Sequence, residues 1–109
     1  MAESTEQERQ SQSVNGLHLP SDEERADSLI AQYIEPHPGK PGIAEYRLRV
    51  EQNGYPVWAI IGSLGAYGDD MEQMARDYKI SREAIEAARA FYALHREAID
   101  DRLAANRAH

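Results

Sequence analysis

Cationic and hydroxyl side chains are concentrated around one short stretch of the chain, with two more arginines upstream. An arginine guanidinium can donate to the paired acceptors on the edge of guanine, and lysine and serine side chains can hold phosphate groups. The candidates for contact with nucleic acid are therefore Lys79, Ser81, Arg82, Arg89, Arg47 and Arg49.

Two amphipathic helices joined by a tight turn must position the first four of these side chains. The apolar residues of segment 71–78 recur at three-and-four spacing, which predicts a half-buried helix. Lys79 and Ile80 form the turn, with Lys79 where such turns often use glycine in a left-handed conformation. Ser81 can accept a hydrogen bond from a free amide, so it is the predicted N-cap of a helix that starts at Arg82. The spacing predicts a helix-turn-helix, a shape that also occurs in helical hairpins without nucleic acid.

The charged face of the helix that starts at Arg82 also has a simpler interpretation. Glu86 stands four residues after Arg82 and three before Arg89, and Arg96 stands four before Asp100. Pairs at these spacings neutralise each other on a helix surface. The face can therefore be a solvated surface without a ligand.

Composition sets the class of protein. The chain has 109 residues, 41% hydrophobic content, no cysteine and a net charge of −7. Residues 1–39 hold two basic and eight acidic side chains, whereas residues 40–109 hold ten basic and eleven acidic ones, so the structured part is nearly neutral. Neither a long apolar run nor the regions of a signal peptide occur in the sequence, which predicts a cytoplasmic protein of bacterial type.

Three regions follow along the chain. Residues 1–20 are predicted to be a disordered acidic tail, and residues 21–42 a short helix, opened by a capping box of Ser21 and Glu24, followed by a Pro/Gly-rich arm. Residues 43–109 form the main domain. Its alternating residues 44–50 predict a strand, and residues 56–65 predict a helix with a broad apolar face. A hairpin whose second strand spans residues 55–61 is the alternative to that helix.

An apolar stripe predicts that the last helix continues past Ile99 to Leu103, farther than a DNA-reading unit requires. Part of this stripe is expected to pack outside its own monomer, against a partner protein or in an ordinary dimer interface. The N-terminal arm is a second candidate surface. The candidates on the helix are Phe91, Leu94, Ile99, Arg102, Leu103 and Arg107.

No cofactor, metal site or catalytic residue is predicted. The four histidines, His18, His37, His95 and His109, do not pair at ligand spacing, and His95 is expected to be partly buried on the apolar stripe. The neighbouring Asp69 and Asp70 suit the start of a helix, where one of them would be the cap.

Residues 33–99 resemble the domain of unknown function 433 family, which contains antitoxin-like proteins. The resemblance depends on segments 38–43, 47–50, 57–61, 77–78, 80–81 and 83–88 and on the pair at 91–92 with His95. The chain departs from the family pattern at residues 43–50, and residues 51–56 look inserted.

The resemblance implies a helix-turn-helix fold, commonly dimeric, often encoded beside a toxin of ribonuclease type, without enzymatic activity or cofactor. We therefore expect a mainly α-helical, homeodomain-like trihelical domain with a short N-terminal strand or hairpin and an N-terminal arm. Its expected task is to neutralise the toxin and repress the shared promoter as a homodimer on operator DNA. The alternative is a homo-oligomeric interaction module that does not bind DNA.

Overall fold

The computed structural model describes residues 21–107, so the predicted tail, His18 and His109 lie outside the described residues. The fold is mainly helical. Within the described range the helices are α1 (Asp22–Tyr33), α2 (Val57–Ala66), α3 (Met71–Tyr78), α4 (Arg82–Leu94) and α5 (Arg96–Arg107). A small antiparallel sheet pairs β1 (Ile34–Glu35) with β2 (Arg47–Leu48).

The predicted capping box opens α1. The Ser21 hydroxyl accepts from the Glu24 amide at 3.1 Å, and the Glu24 carboxylate accepts from the Ser21 amide at 2.9 Å. The helix runs to Tyr33, which packs with Leu29 and Ile30 against the core. As a result α1 lies along α4.

The predicted strand over residues 44–50 is wrong in its length. Only Arg47 and Leu48 are in β2, because β1 offers just two residues for pairing. The flanking segments Ile43–Glu45 and Val50–Gln52 each form one turn of 3-10 helix instead. On the other side of β2, the Leu48 amide donates to the Tyr55 carbonyl at 2.8 Å, which ties β2 to the start of α2.

The predicted helix after Pro56 is confirmed as α2, and the alternative hairpin is wrong. The hairpin pattern survives only as an isolated bridge between Arg47 and Pro56. Gly62 lies in the middle of α2, and a Cβ atom placed on it would be 3.0 Å from the Leu103 Cδ2 atom. The small residue therefore allows α5 to pack closely on α2.

The bounds predicted for α3 and for the start of α4 are confirmed. Lys79 has φ 58° and ψ 47°, the left-handed conformation that the turn requires, and Ser81 caps α4 through the Ala84 amide at 3.1 Å. Asp70, one of the two predicted caps, accepts from the Gln73 amide at 3.1 Å and begins α3.

The prediction of one continuous last helix is wrong. Helix α4 ends at Leu94, and His95 interrupts the helical run with φ −132° and ψ 42°. The His95 amide donates to the carbonyls of Phe91 and Tyr92. The break turns α5 back onto α2, where Ile99 becomes fully buried and Leu103 partly buried. Packing within the chain therefore covers apolar surface that the sequence assigned to a partner.

A single apolar cluster joins these elements. Its fully buried large side chains are Leu48, Val57, Ile60, Met74, Ile85 and Ile99. Each helix from α2 to α5 contributes to it, so the orientation of the α3–α4 turn is fixed by the whole domain. Between residues 21 and 107, no helix has the length and apolarity that a membrane crossing demands.

Candidate functional site

The outer strip of α4, formed by Arg82, Glu86, Arg89 and Ala93, is the candidate contact face. These residues recur at spacings of four, three and four, so they share one side of the helix. Ala84, Ala87, Ala88 and Phe91, on the opposite side, are buried. The strip thus points away from the core, as the sequence predicts for a face that contacts a ligand.

Arg82 is held between two carboxylates at the beginning of this strip. Its Nη1 atom is 2.8 Å from Glu72 Oε2 on α3, and its Nε atom is 3.1 Å from Glu86 Oε2 on α4. The side chain remains 48% exposed, so the pairs are screened by water and contribute little to stability. Both carboxylates already occupy the guanidinium, so any other anion would have to displace them to bind it.

The side-chain amides of Gln52 and Asn53, in the segment before α2, hold the turn between α3 and α4. The Gln52 side-chain oxygen accepts from the Ser81 amide at 2.8 Å, and the Asn53 side-chain amide donates to the Lys79 carbonyl at 3.1 Å. Sequence reasoning missed both residues, because contacts across more than twenty positions leave no local signal. The Gln52 contact engages the Ser81 amide, and the N-cap bond engages the Ser81 hydroxyl.

Arg47 and Arg49 are tied to Glu35 on the neighbouring strand. Arg47 Nη2 is 2.8 Å from Glu35 Oε2, and Arg49 Nη1 is 3.5 Å from Glu35 Oε1. Arg49 also donates to the Ala31 carbonyl at 3.1 Å. The structure brings Arg47 and Arg49 together, and both side chains already pair with groups of the same chain.

Lys79 and Arg89 are the sequence candidates without an ion pair to any residue in the described range. Lys79 is exposed at the turn, and Arg89 makes only a weak hydrogen bond to the Met71 sulfur at 3.7 Å. Arg96 resembles them, since its guanidinium lies over the Tyr92 ring at 4.9 Å and contacts no carboxylate among residues 21–107. Sequence reasoning missed Arg96 as a site residue, although its spacing of seven from Arg89 was a usable signal.

A cleft of about 380 Å³ lies where the end of α2 meets the outer strip of α4. Its lining combines cationic, acidic and apolar side chains. The lining residues are Ile61, Leu64, Gly65, Asp69, Arg89, Tyr92, Ala93 and Arg96.

A family model described as "Protein of unknown function (DUF433)" matches residues 35–92, more than half of the chain. The chain belongs to the DUF433 family. No curated protein and no solved structure matches it. The DUF433 region spans β2, α2, α3 and nearly all of α4, so it includes every predicted nucleic-acid contact and the α4 side of the cleft as far as Tyr92.

Most predicted partner contacts lie beyond the DUF433 region, and the structure divides them by exposure. Phe91 is 3% exposed and Ile99 is completely buried, so in this fold neither side chain offers surface to another protein. Leu103 is partly buried against α2. Leu94, at 60% exposed, and Arg107 are accessible.

Arg102 is held by contacts within the domain. Its Nε atom is 3.0 Å from Glu45 Oε2, and its guanidinium lies 4.3 Å from the centre of the Trp58 ring. The side chain thereby connects α5 to α2 and to the 3-10 turn before β2. Because its charge and its flat face are both engaged, Arg102 is less available to a partner than Arg107.

Tyrosine–carboxylate pairs stabilise the helices around the candidate face. The Tyr67 hydroxyl donates to Asp77 at 2.7 Å, which raises the pKa of Tyr67 to about 12 and lowers the pKa of Asp77. The Tyr92 hydroxyl donates in the same way to Asp100 at 2.8 Å, and this bond raises the pKa of Tyr92. Both phenols stay protonated at neutral pH and so connect elements mechanically.

The histidines of the described range are separated. His37 accepts from the Gly39 amide at 2.9 Å, and the ring of His95 packs against Phe91 with 4.5 Å between centres. Among residues 21–107, no three His, Asp or Glu side chains are close enough to hold a metal ion.

Proposed function

We propose that this chain is a non-enzymatic cytoplasmic protein of antitoxin type. It binds and neutralises a ribonuclease-like toxin and, as a homodimer, represses its own promoter through a helix-turn-helix formed by α3 and α4. The antitoxin role follows the sequence resemblance to antitoxin-like proteins, since the description of the matched family names no function, and the α3–α4 corner carries the proposal.

The supporting observation is the geometry of that corner. An eight-residue helix, a three-residue turn with left-handed Lys79, and a second helix capped by Ser81 follow one another without an extra residue. With α2 as the first helix, these elements correspond to a trihelical DNA-binding unit, whose last helix reads the major groove with its first turns. The outer strip of α4 is the side that such a helix presents to bases.

The number of available cations makes dimerisation part of the proposal. Affinity from phosphate neutralisation grows with the cations that reach the backbone, and each protomer offers few that have no carboxylate partner. A two-fold dimer doubles this number and places two recognition helices about one turn of DNA apart. Leu94, which is exposed at the end of α4, and Arg107 on α5 are the accessible candidates for protein contacts.

The position of Arg82 favours a second candidate function, an interaction module that never meets DNA. Glu72 and Glu86 neutralise the one arginine in the first turn of α4, and Glu83 adds a further carboxylate there. An acidic first turn repels the DNA backbone. In this alternative the same helices serve only protein contacts.

A gel-shift experiment separates the two candidates. Duplex DNA from upstream of the gene is titrated with protein at two salt concentrations, with and without the product of the neighbouring gene. The regulator proposal expects a shift that weakens at higher salt. In the purified protein, Arg82→Ala should weaken binding, whereas Arg76→Ala, on the exposed side of α3, should not. Absence of a salt-dependent shift under both conditions would leave the interaction module.

The antitoxin part has a separate test. The product of the neighbouring gene is purified, and its cleavage of RNA is measured as the chain is added. Stoichiometric loss of cleavage supports neutralisation, and unchanged cleavage contradicts it.

A further inference from the structure

The cleft between the end of α2 and the outer strip of α4 holds two guanidinium groups that are free of carboxylate partners in the described part of the chain. Arg89 and Arg96 stand seven residues apart on either side of the break at His95, so both reach the same opening. Asp69 is the single acidic side chain in the lining. The cleft therefore carries a local positive charge, in a chain whose net charge is −7.

Arg96 is held in place at the cleft. Its guanidinium lies over the Tyr92 ring at 4.9 Å, and the Tyr92 hydroxyl donates to Asp100 at 2.8 Å, which fixes the ring. The ring thus orients the cation without neutralising it. A pre-oriented guanidinium loses less side-chain entropy when it binds an anion.

Apolar side chains form part of the lining of the cleft. Ile61 and Leu64 from α2 and Ala93 from α4 belong to this lining, and the volume of about 380 Å³ is enough for two or three side chains. An apolar lining gains from burying a hydrocarbon side chain, whereas a DNA phosphate is strongly hydrated and has no apolar group to offer it. The combination fits a carboxylate next to an aliphatic side chain.

We propose that this cleft binds a segment of a partner protein in which an acidic side chain adjoins an aliphatic one. The carboxylate accepts from Arg89 and Arg96, and the aliphatic side chain covers Ile61 and Leu64. The inference rests on the proposed function, since the toxin is the partner that would supply the segment.

The test uses the purified chain and a short blocked peptide in which a glutamate precedes a leucine. Nuclear magnetic resonance follows the methyl signals of Ile61 and Leu64 and the side-chain NH signals of the arginines. The proposal expects saturable shifts at these groups. The same peptide with glutamine in place of glutamate should bind about tenfold more weakly, because charge-assisted hydrogen bonds to the guanidinium groups are lost.

Substitutions show which side chains bind the peptide. Arg89→Gln should weaken peptide binding about tenfold, Arg89→Lys should restore part of it, and the matched control Arg76→Gln, on α3 away from the cleft, should leave it unchanged. Equal binding by the glutamine peptide would overturn the proposal. So would equivalent shifts with inorganic phosphate alone, which would identify a phosphate site.

A second measurement separates this inference from the proposed function. The double variant Arg89→Gln, Arg96→Gln is titrated with the product of the neighbouring gene. Retained wild-type affinity would overturn the cleft assignment and leave the antitoxin proposal intact. Peptide binding together with no affinity for that gene product would support the cleft and contradict the antitoxin proposal.

Discussion

Replacing Gln52 with alanine should destabilise the domain by releasing the turn between α3 and α4. The Gln52 side-chain oxygen accepts from the Ser81 amide at 2.8 Å, at the position where α4 begins. Alanine removes the acceptor, and no other acceptor is hydrogen-bonded to that amide among the described residues. The half-buried amide then loses its partner in the folded state.

The magnitude follows from the burial of that amide. A fully buried donor without a partner costs about 1–3 kcal/mol. Ser81 is only half-buried, so water satisfies its amide in part, and we expect a loss of about 1 kcal/mol. For a domain of this size, that loss lowers the melting temperature by roughly 4–8 °C.

Thermal and urea denaturation followed by circular dichroism at the helix band measures the change. The urea midpoint should fall with an unchanged slope, because the variant alters a single contact and not the area exposed on unfolding. Glu51→Ala is the matched control, since its exposed side chain lies in the same 3-10 turn. Gln52→Glu should keep most of the stability, because a carboxylate oxygen can still accept from the Ser81 amide.

Equal lowering of the melting temperature by Gln52→Ala and Glu51→Ala would contradict a role for the Gln52 acceptor, since the loss would then belong to the 3-10 turn. Equal instability of Gln52→Glu and Gln52→Ala would contradict it too, because an acceptor at this position would then be irrelevant.

Three other variants test the remaining structural arguments. Ile85→Ala should cost about 2–5 kcal/mol in urea denaturation, since the side chain is fully buried where α4 meets the core. Tyr67→Phe should remove a tyrosinate transition near pH 12 from an absorbance titration. The phenol's bond to Asp77 stabilises the fold below its ordinary pKa of 10.0 and loses this effect as pH rises to about 12. Arg102→Ala should shift the fluorescence of Trp58, the only tryptophan, to longer wavelength by exposing its ring to water.

The elements that the sequence predicts best are those with local signals. The caps at Ser21, Asp70 and Ser81 are short polar side chains whose partners lie three residues away. The bounds of α3 follow from its apolar spacing and from the turn. Each of these features depends on contacts within a few residues, so a single sequence contains the information.

Long-range contacts explain why two predictions from the sequence are wrong. Segment 44–50 alternates like a strand, but the length of β2 is set by the two residues of β1 that reach it. The break at His95 has neither proline nor glycine to signal it. It exists because α5 gains buried surface when it turns back onto Gly62 and the rest of α2, a gain visible only in three dimensions.

The predicted ion pairs show the same limit at the candidate site. The pair between Arg82 and Glu86 forms as its spacing predicts, while the second partner of Arg82 comes from α3 and has no local signal. Arg89 does not pair with Glu86 in the structure. Arg96 does not pair with Asp100, which accepts a hydrogen bond from Tyr92 instead.

The ion pairs that form in place of the predicted ones change where free charge lies along α4, but not the net charge of the helix. Its N-terminal end becomes neutral or acidic, because two carboxylates hold Arg82, while Arg89 farther along α4 and Arg96 at the start of α5 stay available. A helix that reads DNA with its first turns needs the opposite arrangement. If Arg82 contacts the DNA, it must leave Glu72 and Glu86 on binding. Glu72→Gln, which removes one of the two competing carboxylates, should then tighten operator binding. Unchanged operator affinity in both Glu72→Gln and Arg82→Ala would show that Arg82 does not contact the DNA.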